Sequence, residues 1–234
     1  MNMVMNSNRK IAIVAGILII LGMLAGMLSI VPSVESPDYL TKVSAYQNQV
    51  LIGALFQFTL VPIYLGFALL LYPILNKYNK SLALGFVSFR IIACVFQLVG
   101  VILLPLFLSL SQEFLKYTTP DLVYFQTFGD VLKLGRDLAN HVGVMLATGL
   151  GNLILFYVFY KTNLIPRWLS SWGIIGNFIA MLASFLILFR LIDVVSSQFI
   201  VLTVPLVLQE ILLAIWLIAR GFNLSVINSN SDLE

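Results

Sequence analysis

Charge is what this chain is short of. Only 10% of its 234 residues are Asp, Glu, Lys or Arg, against 60% hydrophobic, whereas soluble domains carry about 25% charged and about 45–50% apolar residues. So few ionised groups cannot coat a water-facing surface, and the mean hydropathy of +1.02 makes lipid the expected solvent. A single cysteine, Cys94, rules out intramolecular disulfides and CxxC zinc spacing. Lying inside an apolar block, it reads as a small hydrophobe. A single histidine, His141, rules out HExxH and any histidine pair, while zinc hydrolases need roughly three protein ligands. No GxSxG, Walker or GxGxxG motif is present. The formal charge of +3 comes from basic residues standing singly or in pairs, with no stripe to grip nucleic acid. No metal, cofactor or nucleic-acid partner is expected.

What is present is length of apolar run. A helix needs about 20 apolar residues to cross roughly 30 Å of hydrocarbon, and six windows qualify: 11–31, 50–75, 82–110, 138–160, 168–189 and 199–222. Lipid leaves backbone groups no outside partner, so these windows predict helices. The expected fold class is all-α, a polytopic six-helix membrane bundle forming one domain over 1–222, with a short disordered cytoplasmic tail over 223–234. The first window resembles a signal peptide, but its 11–31 run exceeds the usual h-region of about 7–15 residues and is read as a retained helix. The connections at 76–81 and 161–167 are turn-length, making helices two and three, and four and five, antiparallel neighbours. In the longer 111–137 connection, Leu122, Phe125, Phe128 or Gly129, and Leu132 recur at helical spacing and suggest an interfacial helix leading into helix four, with a plain connector as the alternative.

Orientation follows from Lys and Arg near the membrane. With the N-terminus inside, the inner ends hold Arg9, Lys10, Lys77, Lys80, Lys161, Arg167 and Arg220. The outer segments hold Lys42, Lys116, Lys133, Arg136 and Arg190. Seven against five, with no acid in the inner loops, predicts both termini in the cytoplasm and a multi-pass protein of the cell membrane.

An ionisable group in hydrocarbon costs at least about 2.5–3.5 kcal/mol. Arg90 follows Lys80 by ten positions and Glu210 precedes Arg220 by ten, which sets both about 15 Å from the inner helix ends. Matching depth and opposite sign predict an Arg90–Glu210 ion pair. Gln97 shares the Arg90 face and Gln209 adjoins Glu210, completing an expected polar cluster of Arg90, Gln97, Gln209 and Glu210. On helix four, Asp137, His141, Thr148 and Asn152 fall within about 60° of one face. That gives an outer polar stripe of Asp137, His141 and Asn152, in which Asp137 could orient the imidazole for proton relay. Pro205, about one turn before Glu210, predicts a kink beside the charges, and Gly16, Gly22 and Gly26 predict a close-packing surface on helix one.

Several segments carry a family likeness. Pro62 and Tyr64-Leu65-Gly66-Phe67-Ala68 are followed by Gly85-Phe86-Val87-Ser88-Phe89-Arg90, then by Ile165-Pro166-Arg167-Trp168-Leu169-Ser170 and Leu208-Gln209-Glu210-Ile211. Together they resemble the prokaryotic six-helix membrane proteins called domain of unknown function 4386. The resemblance spans nearly the whole chain. It implies a cytoplasmic-membrane location and marks Arg90, Pro166, Arg167, Trp168, Gln209 and Glu210 as positions matching the family pattern, but implies no activity. The expected partners are the lipid bilayer and a small ligand, lipid or proton held, or transported, at the polar bundle interior. An assembly partner of another membrane protein is the alternative. A lipid-modifying enzyme using Glu210 or His141 is the weaker one.

Overall fold

Backbone amides in lipid must bond within their own segment, and the long apolar windows do so as helices. The computed structural model describes residues 2–118 and 121–223. The tail expected over 223–234 lies, past Asn223, outside them. The helices are α1 (Asn2–Leu28), α2 (Pro32–Glu35), α3 (Tyr39–Ala45), α4 (Gln47–Tyr78), α5 (Lys80–Phe114), α6 (Leu122–Asp137), a π-helical segment (Leu138–Val144), α7 (Met145–Thr162), α8 (Arg167–Leu188) and α9 (Ser197–Ala219). Among the described residues six stretches are long and apolar enough to cross a membrane: Ser7–Leu28, Gln47–Tyr78, Lys80–Phe114, Leu122–Thr162, Arg167–Leu188 and Ser197–Ala219. Several run past the apolar windows, because a helix does not stop where hydrocarbon does. Exposed Val14, Ile17, Leu55, Ile102, Phe178 and Val201 give the bundle an apolar outer face suited to lipid.

The turns are as tight as their sequences allow. Asn79 alone separates α4 from α5, and its Oδ1 accepts from Leu82 N at 3.0 Å, capping α5. Asn163 ends α7 in the left-handed region at φ 51°, which asparagine tolerates well. Successive membrane helices pack side by side, and α1 meets both α4 and α9, so the six close into a ring.

Two plugs fill the ends of this ring. At the end where α1 starts and α9 finishes, Phe67, Leu71, Phe86, Phe156, Phe159 and Leu217 form one buried apolar cluster. There Arg9 bridges α1 to α9, donating to Leu217 O at 3.0 Å, to Ala219 O at 3.2 Å and to Ile218 O. A cation on the unpaired carbonyls of a helix C-terminus suits both their lone pairs and the helix dipole. At the opposite end α2, α3 and α6 fold down as a cap, burying Val34, Leu40, Val43, Phe107 and Phe125. Glu35 pins the cap, with Lys133 and Arg136 each 3.0 Å from its carboxylate.

Candidate functional site

Arg90 sits at mid-length of α5, 6% exposed. A guanidinium at that depth needs partners, and α7 and α8 supply them. Its Nη2 donates to Asn152 Oδ1. Asn152 Nδ2 donates in turn to Asn177 Oδ1 at 3.1 Å, and Asn177 Nδ2 to Gly173 O at 2.7 Å. The relay ties α5, α7 and α8 together. Three aromatic rings enclose the cation, with Cζ 5.3 Å from the Phe67 centroid, 5.5 Å from Phe86 and 5.8 Å from Tyr64, a cation–π environment that holds the charge without neutralising it.

Glu210 of α9 faces the same interior space from across the ring. A cavity of about 230 Å³ lies between them, with Arg90, Glu210, Tyr64, Thr148 and Asn152 on its polar walls. The ion pair predicted from matching depth does not form. The described residues hold four ion pairs, all in or beside the cap segments, and none joins Arg90 to Glu210. Depth was a sound inference, but depth fixes only one coordinate. Asn152 and the aromatic rings draw the guanidinium to the α5–α7 wall, and the cavity separates it from the carboxylate. Among the described residues, Arg90 Nε and Thr148 Oγ1 are buried without a hydrogen-bond partner, and the guanidinium bonds only through Nη2.

The other expected residues are placed apart. Gln97 is buried further along α5, away from the cavity. Gln209 is fully buried against α8, where Nε2 donates to Leu169 O at 3.3 Å. Adjacent helical residues point about 100° apart, so Gln209 and Glu210 cannot both face the cavity. The outer stripe on helix four also divides. Asp137 lines a surface pocket in the cap with Glu35, Lys133, Arg190 and Asp193. His141 packs edge-on against Phe199, centroids 5.5 Å apart, and among the described residues donates no hydrogen bond to Asp137. Asn152 belongs to the Arg90 relay. The cause is the π segment, whose i→i+5 turns each absorb an extra residue and rotate everything beyond them off the predicted face. Within it Asn140 Oδ1 accepts from Gln57 Nε2 at 3.0 Å.

Pro205 is accommodated within a continuous α9, and its carbonyl accepts from Trp172 Nε1 at 3.0 Å. Only part of the small-residue face of α1 serves close packing. A Cβ on Gly16 would lie 2.8 Å from Ala214 O, whereas one on Gly26 would meet nothing within 4 Å, because Gly22 and Gly26 line the cavity. Charge-centred reading missed Asn177 and Tyr64. An amide near the middle of an apolar span is itself a signal, since it too must find a partner there.

No curated protein and no solved structure matches the chain. A family model, described as Domain of unknown function (DUF4386), matches residues 14–221. With most of its length so covered, from α1 to the end of α9, this six-helix chain belongs to the DUF4386 family.

Proposed function

We propose that this protein binds a small ligand in the cavity between α1, α4, α5, α7 and α9, and that it does so in the cytoplasmic membrane with both termini in the cytoplasm. The carrying observation is that Arg90 and Glu210 face one cavity without touching. A charge pair serving only to lock two helices gains most at contact, where attraction best offsets the desolvation of both groups. Here the charges are kept apart, and Thr148 Oγ1 beside them is buried without a protein partner. Apolar walls with a few convergent polar groups are the usual make-up of small-molecule sites. The plug of Phe67, Phe86, Phe156 and Phe159 closes the side of the cavity where α1 starts and α9 finishes, so this conformation favours entry from the capped side or laterally between helices.

The test is to purify the protein gently from its native membrane and profile the small molecules it retains by mass spectrometry. Gly26→Leu serves as the comparison, because that position has room for a side chain that fills the cavity. A compound retained by the wild type and lost from Gly26→Leu is the expected result. Identical profiles would contradict binding in this cavity.

A further inference from the structure

The geometry points to an amphoteric ligand: a small molecule whose anionic group rests on Arg90, whose cationic group rests on Glu210, and whose body is apolar. This deepens the preceding proposal and rests on it.

Elimination by charge carries the first step. An anion would satisfy Arg90 but face Glu210, and a cation would satisfy Glu210 but face Arg90. A neutral molecule would leave each charge only the other across the cavity, with no contact partner in a low-dielectric interior, which is costly. Only a ligand bearing both signs matches both walls. Arg90 is prepared for this role. Asn152 fixes one edge of the guanidinium through Nη2 and three rings surround it, while Nη1 makes no hydrogen bond among the described residues and Nε is buried without one. A guanidinium with donors to spare, held in a set orientation, is a carboxylate or phosphate receptor. Glu210 likewise makes no hydrogen bond or ion pair among the described residues and lines the same space.

Size carries the second step. At about 230 Å³ the cavity equals roughly seven or eight water volumes of ~30 Å³ each. It is smaller than the about 300–1,000 Å³ typical of drug-sized sites. That is room for a molecule of amino-acid size and too little to hold a whole phospholipid. Leu18, Ile19, Met23, Leu155 and Leu213 are among the apolar walls and ask for a hydrocarbon body.

The experiment uses full-length protein in lipid nanodiscs and matched probes, with binding read by calorimetry. Two amphoteric probes, leucine and 5-aminopentanoate, differ in the spacing of their charges. Each is compared with its carboxylate-only and amine-only analogues: 4-methylpentanoate with 3-methylbutylamine, and pentanoate with pentylamine. At least one amphoteric probe is expected to bind roughly tenfold or more tighter than both of its singly charged analogues, since each analogue gives up a charge-assisted contact. In Glu210→Gln that preference should fall away, the carboxylate gaining on the amphoteric probe because Arg90 is left uncompensated. The wild-type comparison stands even if that variant fails to fold. A carboxylate that binds wild type as tightly as the amphoteric probe overturns the inference while leaving the cavity a binding site. So does the absence of amphoteric binding when a retained compound is still lost from Gly26→Leu. No probe binding together with identical retention profiles overturns both proposals.

Discussion

Arg90 shows how a single residue can be placed correctly in depth and still be assigned the wrong partner. Its contact is Asn152, and Asn152 depends on Asn177. Arg90→Ala leaves a buried amide pair short of a donor, so an apparent stability loss of about 1–3 kcal/mol is expected from chemical denaturation in detergent. A double-mutant cycle should give Arg90 and Asn152 a coupling energy of about 0.5–3 kcal/mol, and Arg90 and Glu210 a smaller one. The reverse order would mean that the two charges touch. A second residue-scale prediction concerns the cap. Tyr39 donates its hydroxyl to Gln126 O at 3.0 Å and to the Asp130 carboxylate at 3.4 Å. Burial, and then the negative charge of Asp130, pushes this phenol up to about 12, against about 10 for a free tyrosine. A raised value means that folding prefers the neutral form. The stabilisation is therefore complete below about pH 10 and is lost as pH rises towards 12. Stability measured over that interval should fall more steeply for wild type than for Tyr39→Phe, and equal slopes would contradict the assignment.

At the scale of elements, glycines report which helix faces are packed and which are open. Gly16→Ala drives a Cβ towards a backbone carbonyl of α9, and Gly173→Ala drives one to 2.7 Å from the Phe156 ring. Both substitutions should lower the midpoint of unfolding. Gly26→Ala adds its methyl to open space and should leave stability unchanged or slightly higher, since alanine is the better helix former by about 1 kcal/mol. If Gly26→Ala destabilised as much as Gly16→Ala, the cavity would not be where it is placed. The same elements show what sequence could and could not reveal. Six apolar windows and two turn-length connections were legible because hydropathy and chain length alone decide them. The helix after Asp121 was legible from its spacing. The π segment was not: Leu138–Val144 holds Asn140, His141 and Gly143, but none of these residue types marks an i→i+5 turn, and its extra residue per turn undid the stripe of Asp137, His141 and Asn152. The division between Gln209 and Glu210 was legible in principle from the 100° step between neighbours, but a cluster drawn from adjacency ignored it.

For the whole molecule, closure of the ring brings α1 and α9 together and turns six greasy helices into a wall around a polar interior. Sequence could place Arg90 and Glu210 at one level of that ring. It could not say how far apart they stand, because separation across a bundle depends on every helix packed between. Orientation is tested most simply in a Cys94→Ala background, with single cysteines at Ser81 and Thr118 probed by a membrane-impermeant thiol reagent on intact cells. Labelling at Thr118 and protection at Ser81 is expected, and the opposite pattern would invert the topology. The most direct test of the central claim is an experimental density map of the full-length protein in lipid, prepared with an amphoteric probe. Arg90 held by Asn152, Glu210 facing it across a cavity, and density joining the two charges are the expected result. A collapsed interior with guanidinium and carboxylate in direct contact would contradict it.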